Sequence, residues 1–185
     1  ISISEGSKIT NLLSKSQIES FCKYKNIPQC NLEGYFHPNT YNFEFFDDFN
    51  EVLNTAFNMQ LFYLEKYFSE KEDDSIKSEA DFLIIASIVE KESCKNEMPL
   101  VAGVIYNRLQ KKMKLQIDST VIYGIDNFNG NLTKKDLRRN SVYNSYLNYG
   151  LPPTAISNPS EQALKAVAFP DKHDYLYFVK KDKCL

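Results

Sequence analysis

At 185 residues, with 43% hydrophobic and 25% charged positions, the chain suits one domain, or one with a small appendage, and has ample length for a core. Its formal net charge of −2 lacks the basic face of a nucleic-acid footprint, so nucleic acid is not an expected partner. The four cysteines, Cys22, Cys30, Cys94 and Cys184, form no C-x-x-C pair and no zinc-type spacing, so neither a metal nor any other cofactor is expected.

Cys22 and Cys30 suit a bridge in an oxidising compartment, a point the sequence alone leaves open. Neither a signal peptide nor a run of about 18 apolar residues is present, and the chain reads as soluble as it stands. It opens on Ile1 rather than Met, as a processed or trimmed chain does, so this says little about an anchor in a longer protein. The 12 tyrosines and 13 phenylalanines suit core packing first and a sugar or peptide cleft second.

Residues 1–5 alternate apolar and polar before a turn at Gly6, which predicts a short strand, and residues 9–21 then predict a helix. Residues 32–41 (Leu-Glu-Gly-Tyr-Phe-His-Pro-Asn-Thr-Tyr) read as an ordered loop. Within it Glu33 is a candidate carboxylate, although loop acids are more often turn or surface residues. His37, alone, is by default a turn or surface residue.

Residues 47–68 carry apolar side chains at intervals of three and four, the pattern of a helix. A charged connection over 69–78 leads into a second helix over 79–93, which ends in residues 86–93 (Ala-Ser-Ile-Val-Glu-Lys-Glu-Ser). Its two acids, Glu90 and Glu92, lie two positions apart and so point to nearly opposite sides at about 100° per residue. Glu92 follows Val89, Ile88 and Ile85 by three, four and seven residues and shares their apolar face. A carboxyl there is expected to be poorly solvated, which favours its neutral form and suits a general acid. The competing reading is a solvated last turn, and spacing alone does not displace it.

Pro99 suits the first turn of a third helix, which carries Asn107 and Arg108 near its end. Packed antiparallel on its neighbour, it would bring polar groups towards Glu92. Residues 115–123 read as an extended segment, with Gln116 and Asp118 on one face, opposite Leu115 and Ile117. Residues 132–139 predict a short basic helix. Residues 141–157 form a loop rich in Tyr, Asn, Gly and Pro, of the kind that lines sites. Asn158 is read as the cap of a helix that runs to about Val167, with Pro159 first. Residues 175–179 (Tyr-Leu-Tyr-Phe-Val) read as a strand.

Several segments now recur in a fixed order: 32–41; 86–93; 101–109 (Val-Ala-Gly-Val-Ile-Tyr-Asn-Arg-Leu); and 115–124 (Leu-Gln-Ile-Asp-Ser-Thr-Val-Ile-Tyr-Gly). They continue through 143–146 (Tyr-Asn-Ser-Tyr), 150–153 (Gly-Leu-Pro-Pro), 158–159 (Asn-Pro) and 175–179. Together they resemble the endolytic murein transglycosylases, the MltG or YceG-like family, over roughly residues 32–179.

The resemblance implies a peptidoglycan lytic transglycosylase, held in the bacterial inner membrane by one N-terminal helix with its domain on the periplasmic or extracytoplasmic side. It would cut the β-1,4 bond between N-acetylmuramic acid and N-acetylglucosamine without water, leave 1,6-anhydro ends and limit glycan strand length. Peptidoglycan strands are the implied substrate, and cell-wall synthases the implied partners. The family's acid is the second Glu of Glu-Lys-Glu, which falls on Glu92, the residue also selected by the helical stripe. Glu33, Asn107, Arg108, Gln116, Asp118, Tyr123, Tyr143 and Asn144 are carried over as candidates for holding the glycan. Structural uses compete for them, such as loop fixing by Asn144 and an Arg108–Asp118 pair.

The chain departs from the family at Asn39, where Asp is usual, at Ser119, where Pro is frequent, and at Thr154, where Gly is common. It also stops soon after Val179, before the Gly- and His-containing tail that the family usually carries. The expected fold is α+β, a helical core that bears the catalytic Glu with short antiparallel strands. Residues 1–31 are read as a LysM-like remnant and linker, and 32–185 as the catalytic domain. The rival readings are a hydrolytic muramidase that uses Glu33 or Asp118 as second carboxylate, and a non-catalytic glycan-binding module.

Overall fold

The computed structural model describes residues 2–3, 13–27, 30–42 and 49–179. Six α-helices carry the architecture of the described residues: α1 (Lys15–Lys25), α2 (Phe49–Glu70), α3 (Glu79–Glu92), α4 (Met98–Gln110), α5 (Asp118–Tyr123) and α6 (Glu161–Ala168). Strand pairing among them is confined to β1 (Ser2–Ile3) and β2 (Asn39–Thr40), antiparallel, with Ser2 opposite Thr40. The fold is thus mostly helical, and the expected set of short strands reduces to this one pair.

Helix α3 is the centre. Every residue from Phe82 to Glu90 is buried, the signature of a helix wrapped on all sides. It packs against α2, α4, α5 and α6. Ser78 starts it by accepting the N–H of Asp81 at 3.0 Å, which satisfies one donor that the first turn leaves open. Mid-helix Ser87 is fully buried; its Oγ donates to the Ile84 carbonyl and accepts the N–H of Ile156. The Ser157 hydroxyl donates to the Ser87 carbonyl. Segment 155–158 is stitched along α3 in this way.

Helix α2 buries Leu53, Ala56, Phe57, Leu61 and Leu64 at intervals of three and four, as its periodicity predicts. Helix α6 places Ala163, Leu164, Ala166, Val167 and Ala168 against the core. Its cap is Ser160, which accepts the N–H of Ala163 at 3.3 Å, and not Asn158 as expected. Asn158 lies deeper: its Oδ1 accepts the N–H groups of Gly34 at 3.0 Å and Phe36 at 3.3 Å. The loop over 32–41 is thereby tied to the entrance of α6. Gly34 has φ of +90°, and a Cβ there would stand 2.7 Å from that of Ala155, so the approach requires glycine.

The helix expected over 9–21 is α1, which begins at Lys15 because Ser14 and Gln17 form a reciprocal capping box. Residues 4–12 lie outside the described set. Cys22 in α1 is bridged to Cys30, with Cα atoms 5.2 Å apart. The basic helix expected over 132–139 is only a 3₁₀ turn at Asp136–Arg138.

Two further elements differ from expectation. Leu115 and Ile117 are buried while Gln116 and Asp118 are exposed, so the alternation holds to that point; the chain then coils into α5, where the Thr120 hydroxyl donates to the Ile117 carbonyl. Residues 175–179 alternate in exposure as a strand does but join no ladder among the described residues. Side chains of α4 occupy the backbone carbonyls that a partner strand would use: Asn107 takes that of Tyr175 and Arg108 that of Leu176.

Candidate active site

The two acids of α3 part company at its C-terminus. Glu90 is only 8% exposed, and its Oε2 accepts both the backbone N–H of Ser160 at 2.8 Å and its hydroxyl at 2.6 Å. Glu92 is half-buried, in the wall of a cleft of about 710 Å³. This corrects the stripe reading, which put Glu92 on the buried face and Glu90 opposite. Because α3 is enclosed on all sides as far as Glu90, the earlier acid is the more buried one. Glu92 lies just past the enclosure, and there it accepts the backbone N–H of Ser119 at 3.3 Å.

The cleft brings together four of the sequence candidates, Glu33, Glu92, Asp118 and Tyr123, with apolar walls from Ile122, Phe128 and Ile156. Glu33 is 8% exposed, and the Tyr123 hydroxyl donates to its Oε2 at 3.3 Å. Burial pushes the Tyr123 phenol well above its ordinary range, and the Glu33 carboxylate adds to the effect. Tyr143 sets its ring edge-on to Tyr123, centroids 4.8 Å apart, and shares a hydrogen bond with Thr154. Asp118, at the start of α5, accepts the Tyr146 hydroxyl at 2.6 Å. Burial, then this bond, pushes the Tyr146 phenol up to about 12.

The remaining candidates stand elsewhere. Asn144 is fully buried; its Nδ2 donates to the carbonyls of Leu137 and Arg139, and its Oδ1 accepts the Tyr146 N–H. It fixes the loop that supports Tyr143 and Tyr146. Gln116 is exposed outside the cleft lining, at φ of +49°. Asn107 and Arg108 hold residues 173–177 against α4. Asn107 donates to the carbonyls of His173 at 2.7 Å and Tyr175 at 3.0 Å. Arg108 donates to those of Leu115 and Leu176, and its guanidinium lies 4.9 Å from the Tyr177 ring centroid. No Arg108–Asp118 ion pair forms; Nε and Nη1 of the guanidinium donate to the backbone carbonyls of Leu176 and Leu115 instead.

Sequence reasoning missed Phe128, Ile156 and Tyr146. Tyr146 lay inside a quoted motif, and its spacing from Tyr143 marked a shared loop. Phe128 and Ile156 sit in irregular segments with no periodicity to expose them.

A helical domain with an acid-lined cleft at the C-terminal end of its central helix defines the class. The chain matches the YceG-like family over residues 1–184 and belongs to that family. It is 39% identical over 152 residues to the endolytic murein transglycosylase of Bacillus subtilis strain 168, covering 81% of this chain and 42% of that protein. It is 33% identical over 154 residues to the endolytic murein transglycosylase of Streptococcus pneumoniae strain D39, covering 80% and 28%. The chain therefore spans less than half the length of these relatives. The 2.6 Å crystal structure of a yceG-like protein from Listeria monocytogenes matches with a TM-score of 0.81 at 32% identity, covering 98% of this chain and 69% of that one.

Proposed function

We propose that this chain is the catalytic part of a peptidoglycan lytic transglycosylase in which Glu92 serves first as acid and then as base. The observation that carries this reading is the position of Glu92 on the wall of a cleft that also holds Glu33, Asp118 and Tyr123, in a chain whose relatives bear the name endolytic murein transglycosylase.

The reaction balances without water. Neutral Glu92 gives its proton to the glycosidic oxygen as the bond from that oxygen to the muramoyl anomeric carbon breaks. The carboxylate then takes the proton of the muramoyl 6-hydroxyl as that oxygen bonds to the same carbon. A 1,6-anhydro end results, and Glu92 is neutral again. One carboxyl acting twice replaces the carboxylate pair of ordinary glycosidases. The apolar surfaces of Ile122, Phe128 and Ile156 limit the water that would otherwise intercept the oxocarbenium-like carbon. Glu33 and Asp118 supply acceptors for sugar hydroxyl and amide donors, each held by a tyrosine.

In this reading the domain works outside the cytoplasm, tethered by a segment of a longer protein, and limits glycan strand length beside cell-wall synthases. The Cys22–Cys30 bridge supports an oxidising compartment. No helix of the described residues is long and apolar enough to cross a membrane.

The test is digestion of purified peptidoglycan by the full-length protein, with product masses read out. Anhydro ends, lighter by one water than hydrolysed ends, are expected; reducing ends would replace the lyase by a muramidase. No release of either product would leave a glycan-binding module.

A further inference from the structure

Glu92 borders two cavities. Besides the cleft of about 710 Å³, it lines a second of about 340 Å³ between the start of α4 and residues 175–179, with Leu100, Val101, Tyr175, Tyr177 and Val179 in the wall. An acid that cleaves a bond inside a polymer needs room for the chain on both sides of that bond. A carboxyl at the end of a single pocket would not provide it.

Residues 175–179 have an unusual surface. Tyr175, Tyr177 and Val179 are 59%, 71% and 90% exposed, while Leu176 and Phe178 are half-buried. This is the two-residue alternation of an extended segment, so the exposed side chains share one side. Solvent-facing aromatics on a fixed backbone mark a contact surface. The backbone is fixed by Asn107 and Arg108, as described above. Each ring is also braced: His173 stacks on Tyr175 with centroids 4.7 Å apart, and the Arg108 guanidinium lies over Tyr177. Rings held this way lose little freedom on binding.

We infer that residues 175–179 form the second half of the glycan cleft, with Tyr175 and Tyr177 as platforms for the saccharide units across the scissile bond from Glu33 and Tyr123. The inference rests on the reading of Glu92 as the acid. The C–H faces of a pyranose ring match the electron-rich face of a phenol ring. With a net charge of −2, the chain has no basic excess to suggest a polyanion on this surface instead.

The test uses the full-length protein carrying Glu92→Gln, titrated calorimetrically with soluble, uncrosslinked glycan strands. Adding Tyr175→Leu and Tyr177→Leu keeps apolar bulk but removes the flat faces, and each lost ring is expected to weaken binding roughly threefold to tenfold. Phenylalanine at both positions should retain affinity. In the background with Glu92 intact, the leucine pair should raise KM on long strands and leave kcat within about twofold. Unchanged affinity in the leucine pair overturns the inference, as would equal losses in the leucine and phenylalanine pairs. If the wild-type protein releases no anhydro ends, the lyase reading fails, whereas the titration still decides whether residues 175–179 hold glycan.

Discussion

Glu92 Oε1 accepts the backbone N–H of Ser119 at 3.3 Å, and through this contact the last turn of α3 meets the first turn of α5. Two residues earlier, Glu90 turns into the core and takes both donors of Ser160. The acids therefore have separable tasks. One ties the cap of α6 to α3, and the other faces open space beside a second pair of acids.

Glu92→Gln is expected to abolish lytic activity, by on the order of 10²–10⁴ in kcat, the usual worth of a positioned acid or base. The amide oxygen still accepts the Ser119 N–H, so the melting temperature should stay within a degree or two of wild type. Product release from purified peptidoglycan, measured beside a thermal melt, checks both halves. Substantial residual activity would remove Glu92 from the mechanism.

Glu90→Ala should show the reverse. It strips two hydrogen bonds from a buried carboxylate and leaves the Ser160 donors without it, at a cost of about 2–3 kcal/mol. Denaturant midpoints should fall accordingly. Activity per folded molecule should fall far less than in Glu92→Gln. Comparable activity losses in the two variants would erase the division of labour.

Helices α2 and α4 were legible because each sustains a period near 3.6 over three or more turns, and α3 because its apolar run holds no Gly or Pro. Helix α5 was not, because it has only six residues and begins at Asp118, the last residue of a genuine alternation over 115–118. Glu92 was singled out by its stripe and by its motif, but the stripe argument misjudged burial: a stripe ranks the faces of a helix, and α3 has no exposed face before Glu90. Asn107 and Arg108 were carried over as candidate glycan contacts by their position in the family motif. Their partners are backbone carbonyls some 68 residues further on, and a carbonyl leaves no trace in the residue sequence.

Gly34→Ala should damage the site from a distance. Its φ of +90° strains any L side chain, and the new methyl would meet the Ala155 Cβ at 2.7 Å. Strain and overpacking together predict a loss of about 2–4 kcal/mol. Glu33 is the preceding residue, so substrate affinity should fall along with stability. Urea unfolding and KM for glycan strands measure the two effects, and an alanine variant as stable as wild type would contradict the close approach.

His37 predicts an acid-sensitive step in stability. The ring is 8% exposed, faces Gln60 Oε1 at 3.2 Å and packs on Tyr63. Burial holds its imidazole below the ordinary value of 6.5, despite the opposing bond to Gln60. The unfolded chain therefore binds the proton more readily, and stability rises with pH across that window. The contribution is present above about 6.5 and lost as the pH falls below it. Urea midpoints should drop between about pH 7.5 and about pH 5, and His37→Gln should flatten that slope. An unchanged slope would place the acid sensitivity elsewhere.

Arg108→Lys tests how residues 173–177 are held. The buried guanidinium reaches the Leu115 carbonyl on one side and the Leu176 carbonyl on the other, with Tyr177 against its face. A lysine ammonium is a point donor without the planar fork, so it satisfies one side at a time and loses the stacked ring. The expected cost is about 1–3 kcal/mol, from a lost charge-assisted bond and a carbonyl left unpaired. The loss should be local, at Leu176 and Tyr177, because Asn107 still holds the carbonyls of His173 and Tyr175. Limited proteolysis should cut within residues 173–179 in Arg108→Lys under conditions where the wild-type segment is spared, before any change in the global melt. Equal protection in both proteins would show that the segment is held by contacts other than Arg108.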